Sequence, residues 1–161
     1  MTAGSIDVRF ASGDSRTISD ALRVMEEAFD PKFGEAWSGS QLTGFLALPG
    51  TLLGLAYDGE EPVGFCVSQT IGHEAELMLL GVLPSHRRKG VAKRLLSGLL
   101  DQLIEARVER LFLEMRTDNR EAFALYAEFG FEKIGIRKSY YRNAYGDCRD
   151  AVTMARKITA P

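Results

Sequence analysis

The stretch from Leu77 to Phe131 constrains the fold more than any other part of the chain. A mostly apolar run, Leu77 to Val82, stops at Pro84. A basic turn, Arg87-Arg88-Lys89-Gly90-Val91-Ala92, then leads straight into a long amphipathic segment. From about Arg88 to Arg107, Val91, Ala92, Leu95, Leu96, Leu99, Leu100, Leu103 and Ile104 recur at helical spacing, with Lys93, Arg94, Ser97, Asp101, Gln102 and Glu105 on the other face. A strand, a crossover helix and a second apolar strand, Leu111–Met115, predict a parallel pair with a right-handed connection. The same order gathers backbone N–H groups, a helix N-terminus and cations in one place, and all three attract phosphate. Gly90 has no Cβ to keep an anion from the backbone. Taken alone, such a turn is explained equally well as a solvated helix start.

The remaining elements follow from periodicity and turn chemistry. Ile6–Phe10 alternates and predicts a first strand. Asp14 or Ser15 caps a helix reaching about Phe29, with Ile18, Ala21, Leu22, Met25 and Phe29 inward, and Asp30-Pro31 ends it. Ser38 caps a short helix, Gly39 to Leu48, closed by Pro49-Gly50. Thr51–Tyr57 and Pro62–Thr70 predict a hairpin across Asp58-Gly59-Glu60-Glu61, and Gly72-His73 turns into the strand Glu74–Val82. Thr117 or Asp118 caps a helix from Asn119 to Phe129, with Gly130 just past its end. Phe131–Arg137 and Val152–Lys157 predict two last strands joined by a polar, tyrosine-rich loop. The expected class is α/β (α+β): one domain, 1–161, with a mixed twisted sheet of about seven strands and about four helices. A ligand is expected where Leu77–Val82 diverges from its parallel neighbour.

Composition narrows the function. A length of 161 residues, 45% hydrophobic and 26% charged, suits a single soluble domain with a real core. A net charge of −2 argues against nucleic acid as a direct partner and makes the basic turn a local feature. No apolar run approaches about 18 residues, and the first residues lack the regions of a signal peptide. Cys66 and Cys148 are too few for a disulfide framework or a zinc site, so free thiols in a reducing cytoplasm and no metal are expected. His73 and His86 stand at turns without ligand spacing and are read as surface residues.

Arg87-x-x-Gly90-x-Ala92 matches the Gln/Arg-x-x-Gly-x-Gly/Ala signature of the GCN5-related N-acetyltransferases, and it lacks the Gly-Lys-Ser/Thr ending of a nucleotide P-loop. Leu113-Glu114-Met115-Arg116, Asn119, Ala124-Leu125-Tyr126, Phe129-Gly130-Phe131 and Arg137-Lys138-Ser139-Tyr140-Tyr141 follow in the order of one branch. That branch resembles the RimI-type enzymes, which acetylate the N-terminal alanine of a small-subunit ribosomal protein. The resemblance covers Ala75 to the C-terminus well and the first half loosely.

The resemblance implies acetyl-CoA as donor. Backbone groups of Leu80, Gly81 and Val82 would hold the pantetheine like an added strand, with the Val82 N–H as oxyanion donor. Arg87, Arg88, Lys89, Gly90, Val91, Ala92 and Lys93 would take the pyrophosphate, and Asn119 would bind near the pantetheine. Glu114 would be the base, acting directly or through water, and Tyr126 the acid. From the residues alone, Glu114 is equally a partner of Arg116 or another nearby cation. If unpaired in a strand covered on both faces, its pKa should be raised. Tyr126 is equally a core tyrosine beside Phe129. Trp37, the only tryptophan, packs between two helices or touches the acceptor. Tyr140 and Tyr141 wall a peptide slot or pack their loop. The acceptor is expected to be a peptide or protein N-terminus, possibly of a ribosomal protein, and the chain a monomer or weak homo-oligomer. A small amine or a lysine as acceptor, or a silent acyl-CoA sensor, are the alternatives.

Overall fold

A computed structural model describes residues 4–11, 13–142 and 148–158, without the side chains of 139–142 and 149. Seven strands form one mixed sheet: β1 (Ile6–Ala11), β2 (Thr51–Asp58), β3 (Glu61–Ile71), β4 (Glu74–Val82), β5 (Arg110–Arg116), β6 (Glu132–Arg142) and β7 (Cys148–Lys157). Their order is β1-β2-β3-β4-β5-β7-β6. The α-helices are α1 (Ser15–Ala28), α2 (Gly39–Leu46), α3 (Val91–Glu105) and α4 (Arg120–Glu128), with short 3-10 turns at Pro31–Phe33 and Pro84–His86. Asp14 caps α1 through the Thr17 N–H, and Ser38 and Gln41 form a reciprocal capping box on α2. The expected class and architecture are those observed.

Adjacent residues of β3 show how the helices are distributed. Phe65 meets Phe29 at the end of α1, with ring centroids 5.9 Å apart. A Cβ on neighbouring Gly64 would lie 2.8 Å from Val91 and 3.0 Å from Leu95, both on α3. Since successive strand residues point to opposite faces, α1 and α3 sandwich the sheet between them. Leu42, Leu53, Phe65, Leu95, Leu99, Leu111 and Met154 are among the fully buried side chains of the resulting core.

Several boundaries differ from expectation for local reasons. Helix α3 begins at Val91 and not Arg88, because Arg88 (φ 61°) and Gly90 (φ 80°) are left-handed; it ends before Arg107, also left-handed at φ 60°. Helix α4 is capped by Asn119, whose side-chain oxygen accepts the Ala122 N–H at 3.1 Å, and not by Thr117 or Asp118. Strands β6 and β7 extend into the expected loop, to Arg142 and back to Cys148. The sequence there, Lys138-Ser139-Tyr140-Tyr141-Arg142 and Cys148-Arg149-Asp150, lacks the alternation of apolar and polar residues that would announce a strand.

Candidate active site

Strand β4 is paired with β5 only from Glu74↔Arg110 to Leu77↔Leu113. At that point the β3–β4 register slips: Val67 pairs with Leu79 and Ser68 with Leu77, so Met78 is an extra residue on β4. A bulge bends its strand and increases local twist. The bulge thus coincides with the point at which β4 leaves β5, and Met78 to Val82 run on without a ladder on that side. A cavity of about 890 Å³ occupies the splay. The strand divergence expected from the sequence is where this cavity lies.

One end of the cavity is the first turn of α3. Gly90 is the N-cap, with no side chain bonded to the first-turn N–H groups. A Cβ on Gly90 would meet nothing within 4 Å, so open space lies where its backbone turns left-handed. Arg88, Gly90, Val91, Ala92 and Lys93 line the cavity here; Lys89 is exposed beside them but is not part of the lining. Arg88 reaches Glu121 at 3.4 Å and Lys93 reaches Glu128 at 3.0 Å, both across to α4. The Arg87 guanidinium donates to the carbonyls of Ala28 (2.8 Å) and Val82 (3.4 Å), tying the turn to the end of α1 and to β4. An anion is thus offered mainly backbone donors and the cations Arg88 and Lys93, a set that fits a pyrophosphate.

Along the cavity come Leu80, Gly81 and Val82 on one wall and Asn119, Ala122 and Tyr126 on the other. The capping bond occupies the Asn119 oxygen, so donation to a ligand falls to its amide nitrogen. Tyr126 is 7% exposed and packs edge-on against Phe131, with centroids 5.6 Å apart. It is a core tyrosine and a cavity residue together. Trp37 packs on Phe45 of α2 with centroids 5.1 Å apart, lines the cavity, and donates its backbone N–H to the Met25 sulfur at 3.0 Å.

Glu114 faces the cavity from β5. Its strand is not covered on both faces, since Phe112 and Glu114 are only half-buried. Nor is the carboxylate isolated. Arg137 on β6 donates to both oxygens at 3.0 and 3.2 Å, and the Thr153 hydroxyl donates at 3.5 Å. The expected partner Arg116 is engaged elsewhere, by Glu35 and by Asp118 at 3.0 Å. The Tyr140 and Tyr141 side chains lie outside the described residues.

Several residues were not singled out from sequence. Glu35 lines the cavity, and burial pushes its carboxyl up against the pull of Arg116, with the charge of Asp118 adding to the rise. Glu76, at the rim, is raised by partial desolvation and then by the nearby Glu114 charge, while Arg137 pulls it down. His86 is not a surface residue: its side chain is 12% exposed, lines the cavity, and bonds Asp58 at 3.0 Å and Ser85 at 2.8 Å. Only the spacing Glu114–Arg116 on one strand pointed toward this cluster; its partners come from segments far apart in the chain.

The profile of the acetyltransferase (GNAT) family matches residues 20–131, which takes in the bulged strand, the α3 turn and α4. The chain belongs to that family. It is 39% identical over 98 residues to a [ribosomal protein bS18]-alanine N-acetyltransferase of Haemophilus influenzae, covering 61% of this chain and 66% of that one. It is 41% identical over 112 residues to the N-alpha-acetyltransferase RimI of Mycobacterium tuberculosis, covering 70% and 63%. The chain therefore spans slightly less than two thirds of the length of these relatives. The crystal structure of the ribosomal-protein-S18-alanine N-acetyltransferase from Escherichia coli superposes with a TM-score of 0.84 at 27% identity, over 96% of each chain. Among the described residues of this GNAT chain, no helix is long and apolar enough to cross a membrane.

Proposed function

We propose that the chain transfers an acetyl group from acetyl-CoA to the α-amine of a protein N-terminus beginning with alanine, with ribosomal protein bS18 as the acceptor its relatives suggest. One observation carries the reading. Glu114, Tyr126, the unladdered edge of β4 and the first turn of α3 line a single cavity.

The bound donor supplies an activated acetyl group, and the protein does the rest. The first-turn N–H groups of α3, with Arg88 and Lys93, hold the pyrophosphate, and Leu80 to Val82 hold the arm by backbone bonds. Glu114 accepts the proton that the amine loses, directly or through one water. The amine nitrogen bonds to the carbonyl carbon while the Val82 N–H donates to its oxygen, where charge develops. Tyr126 gives its proton to the sulfur as the carbon–sulfur bond breaks. An N-terminal amine has a pKa of roughly 8, so a carboxylate base suffices near neutral pH. A ribosomal-protein acceptor places the enzyme in the cytoplasm.

The test is thiol release from acetyl-CoA with an alanine-initial peptide, its N-blocked form and a free alkylamine. Release with the first alone is expected. Equal release with the blocked peptide or the alkylamine points to a lysine or small-amine acceptor, and no release with any of them points to a non-catalytic acyl-CoA binder.

A further inference from the structure

Arg116 ends β5, two residues beyond Glu114 and, by strand alternation, on the same face. It is 9% exposed and receives two carboxylates from separate parts of the chain. Asp118, at 3.0 Å, belongs to the turn that leads into the α4 cap. Glu35 belongs to the segment between α1 and α2, which also carries Phe33 and Trp37. The Phe33 ring covers the guanidinium, with Cζ 3.5 Å from its centroid. Glu35, Phe33, Trp37 and Arg116 all line the same cavity as Glu114.

Apart from this cluster the 30–38 segment is held by local bonds, among them Lys32 N–H to Asp30 and Gly34 N–H to Pro31, and by Trp37 against Met25 and Phe45. Its contact with the far side of the splay runs through Phe33 and Glu35 onto Arg116. A buried ion pair adds little net stability, because desolvation offsets the attraction. Its consequence here is geometric: it fixes the distance between the segment and the strand that presents Glu114.

We propose that Arg116 and Glu35 form a latch that positions the 30–38 segment as one wall of the acceptor slot, so that the pair sets the acceptor's KM; this rests on the acetyl-transfer reading of the cavity. Arg116 and Glu35 are positioning residues. They act through Trp37 and the segment backbone on where the acceptor amine comes to rest before Glu114. The Arg116 side chain meets Glu35, Asp118 and Phe33, none of which belongs to the Arg87–Lys93 turn at the donor end.

The experiment uses the full chain and its variants Glu35→Gln, Arg116→Lys and the double. Each is assayed for steady-state acetylation of an alanine-initial peptide, acetyl-CoA affinity by calorimetry, and thermal unfolding. Glu35→Gln keeps side-chain volume and leaves Arg116 bonded to Asp118, so it stays interpretable even if Arg116→Lys fails to fold. Each single variant is expected to raise the peptide KM roughly tenfold, with kcat and acetyl-CoA affinity within about twofold of wild type. The double is expected to be no worse than the worse single, since both break one contact. Unchanged KM in folded Glu35→Gln, additive effects in the double, or a parallel loss of acetyl-CoA affinity overturns the latch. An active wild type with unaffected variants removes the latch alone, whereas a wild type that leaves every peptide N-terminus untouched removes the acceptor reading and the latch with it.

Discussion

Replacing Gly90 separates the two things that residue does. Its φ of 80° is left-handed, and a Cβ there would meet no atom within 4 Å beyond its chain neighbours. The folding cost of Gly90→Val is therefore mainly local backbone strain, about 1–2 kcal/mol or somewhat more because valine is β-branched. At this chain length that lowers Tm by roughly 2–8 °C. Gly90→Asn costs less, because asparagine enters the left-handed region more readily. Binding responds differently. The added side chain stands in the open space before the α3 N–H groups, where the pyrophosphate is proposed to sit. Losing one charge-assisted hydrogen bond costs about 1.5–3 kcal/mol. At 1.4 kcal/mol per tenfold, acetyl-CoA affinity falls roughly tenfold to a hundredfold. Gly54→Ala is the control: its Cβ would lie 2.6 Å from Phe10 and 2.7 Å from the Cys66 sulfur, and none of the three residues lines the cavity. It should destabilise more than Gly90→Asn while the folded protein binds acetyl-CoA normally. Calorimetric titration beside thermal melts reads both effects. Wild-type affinity in folded Gly90→Asn, or an equal loss in Gly54→Ala, refutes the assignment.

Tyr126→Phe should lower kcat by about a hundredfold or more, with acetyl-CoA affinity retained, because a general acid works in the transition state; equal losses in both refute the role. Glu114→Gln should lose most activity below the amine's pKa of roughly 8 and recover as pH rises, since the amine then needs no base; a pH–rate profile parallel to wild type contradicts this. The Glu35 carboxyl is raised in the folded state from its ordinary value of 4.5. The folded protein therefore binds the proton more tightly than the unfolded chain, and this contribution to stability is lost as pH rises from about 4.5 through the folded pKa. Urea unfolding of Glu35→Gln beside wild type should show the variant gaining relative stability over that rise, and a constant difference would show that Glu35 titrates as it does unfolded.

The parts of this fold that could be read from sequence are those written in neighbouring residues. Asp14 and Ser38 announce their helices because each cap is a polar side chain answered by an N–H three residues on. The turn from Pro84 to Gly90 is legible because its charge and its glycine are contiguous. At Thr117-Asp118-Asn119 three residues in a row can cap, and only the backbone decides for Asn119. The Met78 bulge opens the cavity yet sits inside an apolar run that looks like any strand. Glu114 was legible as a carboxylate in the wrong place, but its guanidinium comes from β6, across β7, and not from nearby Arg116. Glu35 was invisible, because its partner stands 81 residues away. His86 at a turn looked exposed until Asp58, at the β2–β3 hairpin, supplied its partner.

The proposed reaction is delivery of an acetyl group, at the splay between β4 and β5, to an N-terminal α-amine. It is tested most directly by locating the acetyl group on a peptide that offers two amines. A short peptide beginning with alanine and carrying an internal lysine is incubated with the protein and acetyl-CoA, cleaved with trypsin, and its fragments weighed. The proposed reaction puts the added mass on the N-terminal fragment, with cleavage after lysine undisturbed. Acetylated lysine, seen as a missed cleavage with the N-terminus unmodified, would contradict it.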